Sequence, residues 1–69
     1  MSFSYTKLWV LLAQRRMTKE ELRVGAKLSS ATIARMGQDV NVSLDVLDKI
    51  CEFLQCRLED IIERLPNKE

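Results

Sequence analysis

One local pattern occurs four times in this chain: an apolar residue, then Ser or Thr, then a second apolar residue four positions after the hydroxyl. Phe3-Ser4…Leu8, Met17-Thr18…Leu22, Leu28-Ser29…Ile33 and Val42-Ser43…Leu47 all follow it. Each reads as a helix start. The hydroxyl accepts from an orphan amide of the first turn, and the flanking apolar pair packs across that turn. At Thr18 the third residue on is Glu21, which completes a capping box. Cys56-Arg57…Ile61 has the apolar pair without the hydroxyl, with Glu59 and Asp60 in its first turn, where the helix dipole favours acids. The pattern predicts five short helices.

The apolar periodicity agrees. Leu47, Ile50, Cys51 and Leu54 fall at i, i+3, i+4 and i+7 and make one stripe. Leu8, Leu11 and Leu12 keep the same rhythm, which ends at Arg15. Leu58, Ile61, Ile62 and Leu65 repeat it before Pro66. No useful stretch alternates with period two, so no strand is expected. The helices are placed near 5–15, 19–26, 30–36, 44–55 and 58–65. Gly37 suits the position just past the third helix. Gly25, inside or at the end of the second, permits a close backbone approach.

Composition narrows the function. Sixty-nine residues make one small domain, 1–69, that is 46% hydrophobic and 30% charged, as in ordinary globular chains. The longest apolar run, Leu8 to Ala13, is far short of the roughly 20 residues needed to span a bilayer. The N-terminus lacks the order of a signal peptide, and the expected location is the cytoplasm. The chain has no histidine, which removes a Ser-His-Asp triad, a Cys-His pair and nearly every ordinary zinc site. Cys51 and Cys56 make no disulfide framework; Cys51 reads as a small core residue. The adjacent carboxylates Glu20/Glu21 and Glu59/Asp60 sit at helix starts, where capping accounts for them. No enzyme, metal, cofactor or small-molecule substrate is expected.

The net charge of +1 hides a polarity. Residues 1–38 carry seven basic side chains against two acidic ones, a net +5; residues 39–69 carry four against eight, a net −4. A basic half can face a polyanion, and a scattered solvated surface would give the same count.

Helices two and three are joined by Lys27, Leu28 and Ser29, as in a helix-turn-helix. On a wheel of about 100° per residue with the Ile33 anchor at zero, Met36 falls about 60° away on the same side. Ala31 and Arg35 fall opposite, about 160° and 200° away, flanked by Thr32 and Ala34. The exposed face of helix three is therefore small and polar and carries one cation, which suits a rod entering a DNA major groove.

The stretch Met17 to Leu54 resembles the DNA-binding domain of the Cro/C1-type (XRE-like) bacterial and phage repressors. The matching landmarks are the Thr18-capped helix with Leu22, then Leu28-Ser29, Thr32-Ile33, the capped fourth helix, and Asp60-Ile61-Ile62. The resemblance covers about residues 5–65, with the helix-turn-helix at about 18–37. It implies an all-α, compact five-helix, lambda-repressor-like domain whose third helix reads duplex DNA to regulate transcription. Four positions depart from the usual pattern: Lys19 replaces a Gln, Arg23 a small residue, Lys27 the turn Gly, and Gly37 a Glu.

The expected DNA contacts follow. Ser29 caps helix three and can touch phosphate. Ser30, Ala31 and Thr32 offer hydroxyls to base edges and methyls to thymine, and Arg35 can reach guanine. Lys19 meets a phosphate, as Gln38 and Asn41 can from the loop after the reading helix. Trp9, Val10 and Phe53 lie partly off the stripes, either as edge-of-core residues or as a homodimer surface. A dimer would read an inverted repeat with centres about 10 bp apart. Two other readings fit the same residues: an antitoxin-like partner of a toxin, and a helical protein-interaction module without DNA binding.

Overall fold

The computed structural model describes residues 2–65. Strand β1 (Ser2–Ser4) leads into α1 (Thr6–Gln14), α2 (Lys19–Gly25), α3 (Ser30–Gly37) and α4 (Leu44–Leu54). A 3₁₀ turn at Leu58–Asp60 follows, then β2 (Glu63–Leu65). The first four expected helices are present within two residues of their expected ends. Three of the four hydroxyls cap as anticipated: Thr18 accepts from the Glu21 amide, Ser29 from Thr32 and Ser43 from Val46. Ser4 does not cap α1, whose first flanking residue is Tyr5; its hydroxyl accepts from the Thr6 amide two residues on, a turn of its own.

The fifth helix and the expectation of no strands are both overturned. Only Leu58–Asp60 turns helically, with the Arg57 amide donating to Asp60 Oδ2 at 3.0 Å. Glu63–Leu65 is extended and pairs antiparallel with Ser2–Ser4, in the register Ser2 with Leu65, Phe3 with Arg64 and Ser4 with Glu63. The fold is therefore mostly helical, with four α-helices and a small strand pair among the described residues. The residue before a proline is pushed away from the helical region, so Pro66 favours an extended Leu65. Three-residue strands are too short for a period of two to show.

Leu8 and Leu12 of α1, Leu22 and Ala26 of α2 and its cap, Leu28 in the turn and Met36 of α3 bury together. They meet Leu47, Ile50 and Leu54 of α4, with Tyr5 and Ile61 closing the cluster. The anchor of α3 is Met36, fully buried, while Ile33 is half-buried against the same core. Leu58, expected in an apolar stripe, is exposed.

Every α-helix ends on a non-glycine residue in the left-handed conformation: Arg16 at φ 56°, Lys27 at 60°, Asp39 at 56° and Gln55 at 54°. The bonds of a Schellman ending recur at each. Met17 N–H donates to Leu12 O, Leu28 to Arg23, Val40 to Arg35 and Cys56 to Cys51. Gly37 is not the residue past α3; it is the last helical residue, and no glycine has positive φ. Asp39 takes that place because a short polar side chain tolerates the left-handed region, and its carboxylate accepts from the Tyr5 amide at 3.1 Å. Gly25 does serve a close approach, since a Cβ there would overlap the Phe53 ring. Phe53 thus covers α2 rather than standing free.

Candidate nucleic-acid interface

The supporting helix α2 starts from a complete capping box. Glu21 N–H donates to Thr18 Oγ1 at 3.0 Å, and Thr18 N–H donates back to Glu21 Oε1 at 2.8 Å. The chain then turns sharply at Lys27, where Leu28 N–H reaches Arg23 O at 2.8 Å and the Leu28 side chain is pulled into the core. Ser29 opens α3: its Oγ accepts from Thr32 N–H at 3.1 Å and lies 2.9 Å from Thr32 Oγ1. Two hydroxyls are thereby held together at the N-terminus of α3.

Met36 and Ile33 face inward from α3 to differing depths and Thr32 is half-exposed beside Ser29, while Ser30, Ala31, Ala34 and Arg35 are exposed. Arg35 sits in the last turn, where a cation complements the helix dipole. It has no ion-pair partner among the described residues. Arg23, by contrast, is forked onto Glu20 and holds that carboxyl below its usual range through their hydrogen bond. Gln38 caps the C-terminus of α3, donating its amide to Arg35 O at 3.0 Å, and Asn41 is exposed in the link to α4.

Lys19 stands apart from this group, at the first position of α2, exposed, with its Nζ 4.4 Å from the centroid of the Trp9 ring. The attraction of the ring face for a cation offsets the unfavourable helix dipole there. Trp9 is thereby half-buried beneath Lys19. Val10 and Phe53 line separate grooves, so the three off-stripe residues do not form one patch.

The sequence pattern did not reveal two positioning contacts. Tyr5 Oη donates to Val40 O at 3.0 Å, which with the Asp39 bond ties the loop after α3 to the start of α1. Arg15 Nη1 donates to Leu54 O at 2.5 Å and holds the last turn of α4. The basic end of the α1 stripe was the only trace of the second contact, and the first had none. Among the described residues no three His, Cys, Asp or Glu side chains gather into a metal site, and no helix is long and apolar enough to cross a membrane.

Residues 7–67 match the Cro/C1-type HTH DNA-binding domain family. The chain belongs to that family. A class defined by binding DNA rather than by catalysis accounts for the capped, exposed α3. The chain is 38% identical over 56 residues to the HTH-type transcriptional regulator YozG of Bacillus subtilis (strain 168), covering 78% of this chain and 67% of that one. The crystal structure of the transcriptional regulator VanUg superposes with a TM-score of 0.92 at 52% identity, over 96% of this chain and 88% of VanUg.

Proposed function

We propose that the protein is a transcriptional regulator that binds duplex DNA as a homodimer, with α3 in the major groove. The observation that carries this reading is the outer face of α3. A two-turn helix held by Met36 presents only small side chains and one forked cation, Arg35. Ser30 and Thr32 offer hydroxyls to base edges, Ala31 offers a methyl to thymine, and the Arg35 fork matches guanine O6 and N7. Ser29 and the helix N-terminus suit a phosphate, as do Lys19, Gln38 and Asn41 at the margins. The Trp9 ring occupies one side of the Lys19 ammonium and leaves the exposed side for that contact.

One short reading helix covers only a few base pairs, so a specific site needs a second copy. The residues best suited to join two copies are Leu44, 76% exposed, and Leu58, 45% exposed. They flank one groove of about 400 Å³ with Leu47 and Cys51. Selection of bound sites from a random duplex library tests this reading. The expected result is an inverted repeat with half-site centres about 10 bp apart. A monomer on an asymmetric site, seen by sedimentation, contradicts the dimer; failure to enrich any sequence contradicts the reading helix.

A further inference from the structure

Cys51 and Cys56 meet at the C-terminal end of α4, on an element the DNA-reading face does not include. Gln55 takes the left-handed conformation, φ 54° and ψ 54°, and turns the chain back over the helix. The Cys56 amide then donates to the Cys51 carbonyl at 3.2 Å. In such an ending the side chains of these two positions are frequently in contact, and here each thiol is a neighbour of the other. A disulfide needs its two residues close in space, with Cα atoms usually about 4.4–6.8 Å apart. Both thiols are free and half-buried. Both also line one open, largely polar cleft of about 540 Å³, bordered by Asp48, Glu52, Gln55, Arg57 and Asp60.

We propose that Cys51 and Cys56 are a reversible dithiol–disulfide pair, a modification site for a low-molecular-weight disulfide that enters this cleft. The Cys56 thiolate attacks one sulfur of the reagent. The reagent's S–S bond breaks, and one small thiolate leaves and takes up a proton. Cys51 then loses its proton and attacks Cys56 Sγ, expelling the second small thiol. Two protein thiols are oxidised to one disulfide, and the reagent is reduced to two thiols.

The order of attack follows from the surroundings. Burial raises both thiols above their ordinary range. Beyond burial, the neighbouring Cys51 thiol and Arg15 of α1 lower the Cys56 thiol, against Asp60. Cys51 has only neighbours that disfavour its charge: Cys56, Asp48 and Asp60. Glu52 of α4 and Arg57 of the following loop complete the charged rim of the cleft. The thiolate is the nucleophile, so the reaction accelerates as pH rises from neutral.

The test is intact-mass measurement of the folded chain treated with oxidised glutathione near pH 8. The expected product has lost two hydrogens, retains no glutathione, stays a single chain and returns to the starting mass with a dithiol reductant. The Cys51→Ser variant, checked for fold by circular dichroism, should stop at one stable glutathione adduct on Cys56. Two stable adducts on the native chain, a covalent dimer, or no reaction until the chain is denatured would each overturn the proposal. The native chain alone decides these outcomes, whether or not the variant folds.

Discussion

Tyr5 shows how much one side chain can organise. It is buried; its hydroxyl donates to Val40 O and its amide to Asp39, so it clamps the end of α3 to the start of α1. Burial pushes the phenol above its ordinary range, and Asp39 adds to this, while a backbone hydrogen bond from Val42 opposes it. The neutral phenol is the form the fold prefers. Its contribution is therefore complete below the unfolded-state value of about 10 and is lost as pH rises through the folded-state value. Tyr5→Phe should cost about 0.5–1.5 kcal/mol in urea unfolding at neutral pH. Above about pH 10 the gap between the native chain and Tyr5→Phe should close; a gap that stays constant would mean the hydroxyl bond is not made. Nothing in the sequence announces this clamp, because its partners lie 34 and 35 residues away. The caps at Thr18, Ser29 and Ser43 were legible because a cap and its amide are three residues apart.

The elements were legible where local chemistry decides them and illegible where the two ends of the chain do. The rhythm of Leu58, Ile61, Ile62 and Leu65 fits a helix, yet that segment carries no capping hydroxyl and stands before Pro66. Pairing with Ser2–Ser4 wins instead, a contact between chain ends that no local window contains. The helix stops fell within two residues of their expected positions, although the usual glycine signal is missing from all four left-handed positions. Lys27 illustrates the cost. It is exposed, and its left-handed backbone is disfavoured for a residue with a Cβ by about 1–2 kcal/mol. Glycine there avoids the clash but loses more entropy on folding. Lys27→Gly should therefore stabilise the domain by about 0.5–1 kcal/mol, read as a higher urea midpoint with an unchanged slope. A lower midpoint would show that the Lys27 side chain contributes more to the fold than its backbone costs.

At the scale of the whole molecule, the proposed function joins the charge polarity of the sequence to the pair α2–α3. The basic residues concentrate in residues 1–38, which contain α1, α2 and α3, and the acidic ones in the half that contains α4 and the strand return. Under the proposed function the basic half steers the molecule towards a polyanion, which α3 then meets. Membership of the Cro/C1-type family and the exposure of α3 were foreseeable from the residues between Met17 and Leu54. The unexpected partners of Lys19 and Arg23 were not, because Trp9 is reached only through tertiary packing, and the Arg23 fork onto Glu20 is one of several rotamers open to an exposed pair.

The central claim is that α3 reads bases and the start of α2 anchors the backbone. Its most direct test is a binding titration of Arg35→Ala and Lys19→Ala across salt concentrations and single-base changes in the selected site. Circular dichroism serves as the folding control. Arg35→Ala should lose about 1–3 kcal/mol of affinity and relax the preference at one base position per half-site. Lys19→Ala should weaken all sequences alike and reduce the salt slope by about 0.9 per half-site. If Arg35→Ala instead lost affinity uniformly and kept every base preference, Arg35 would be a phosphate anchor and the outer face of α3 would not be the reading surface.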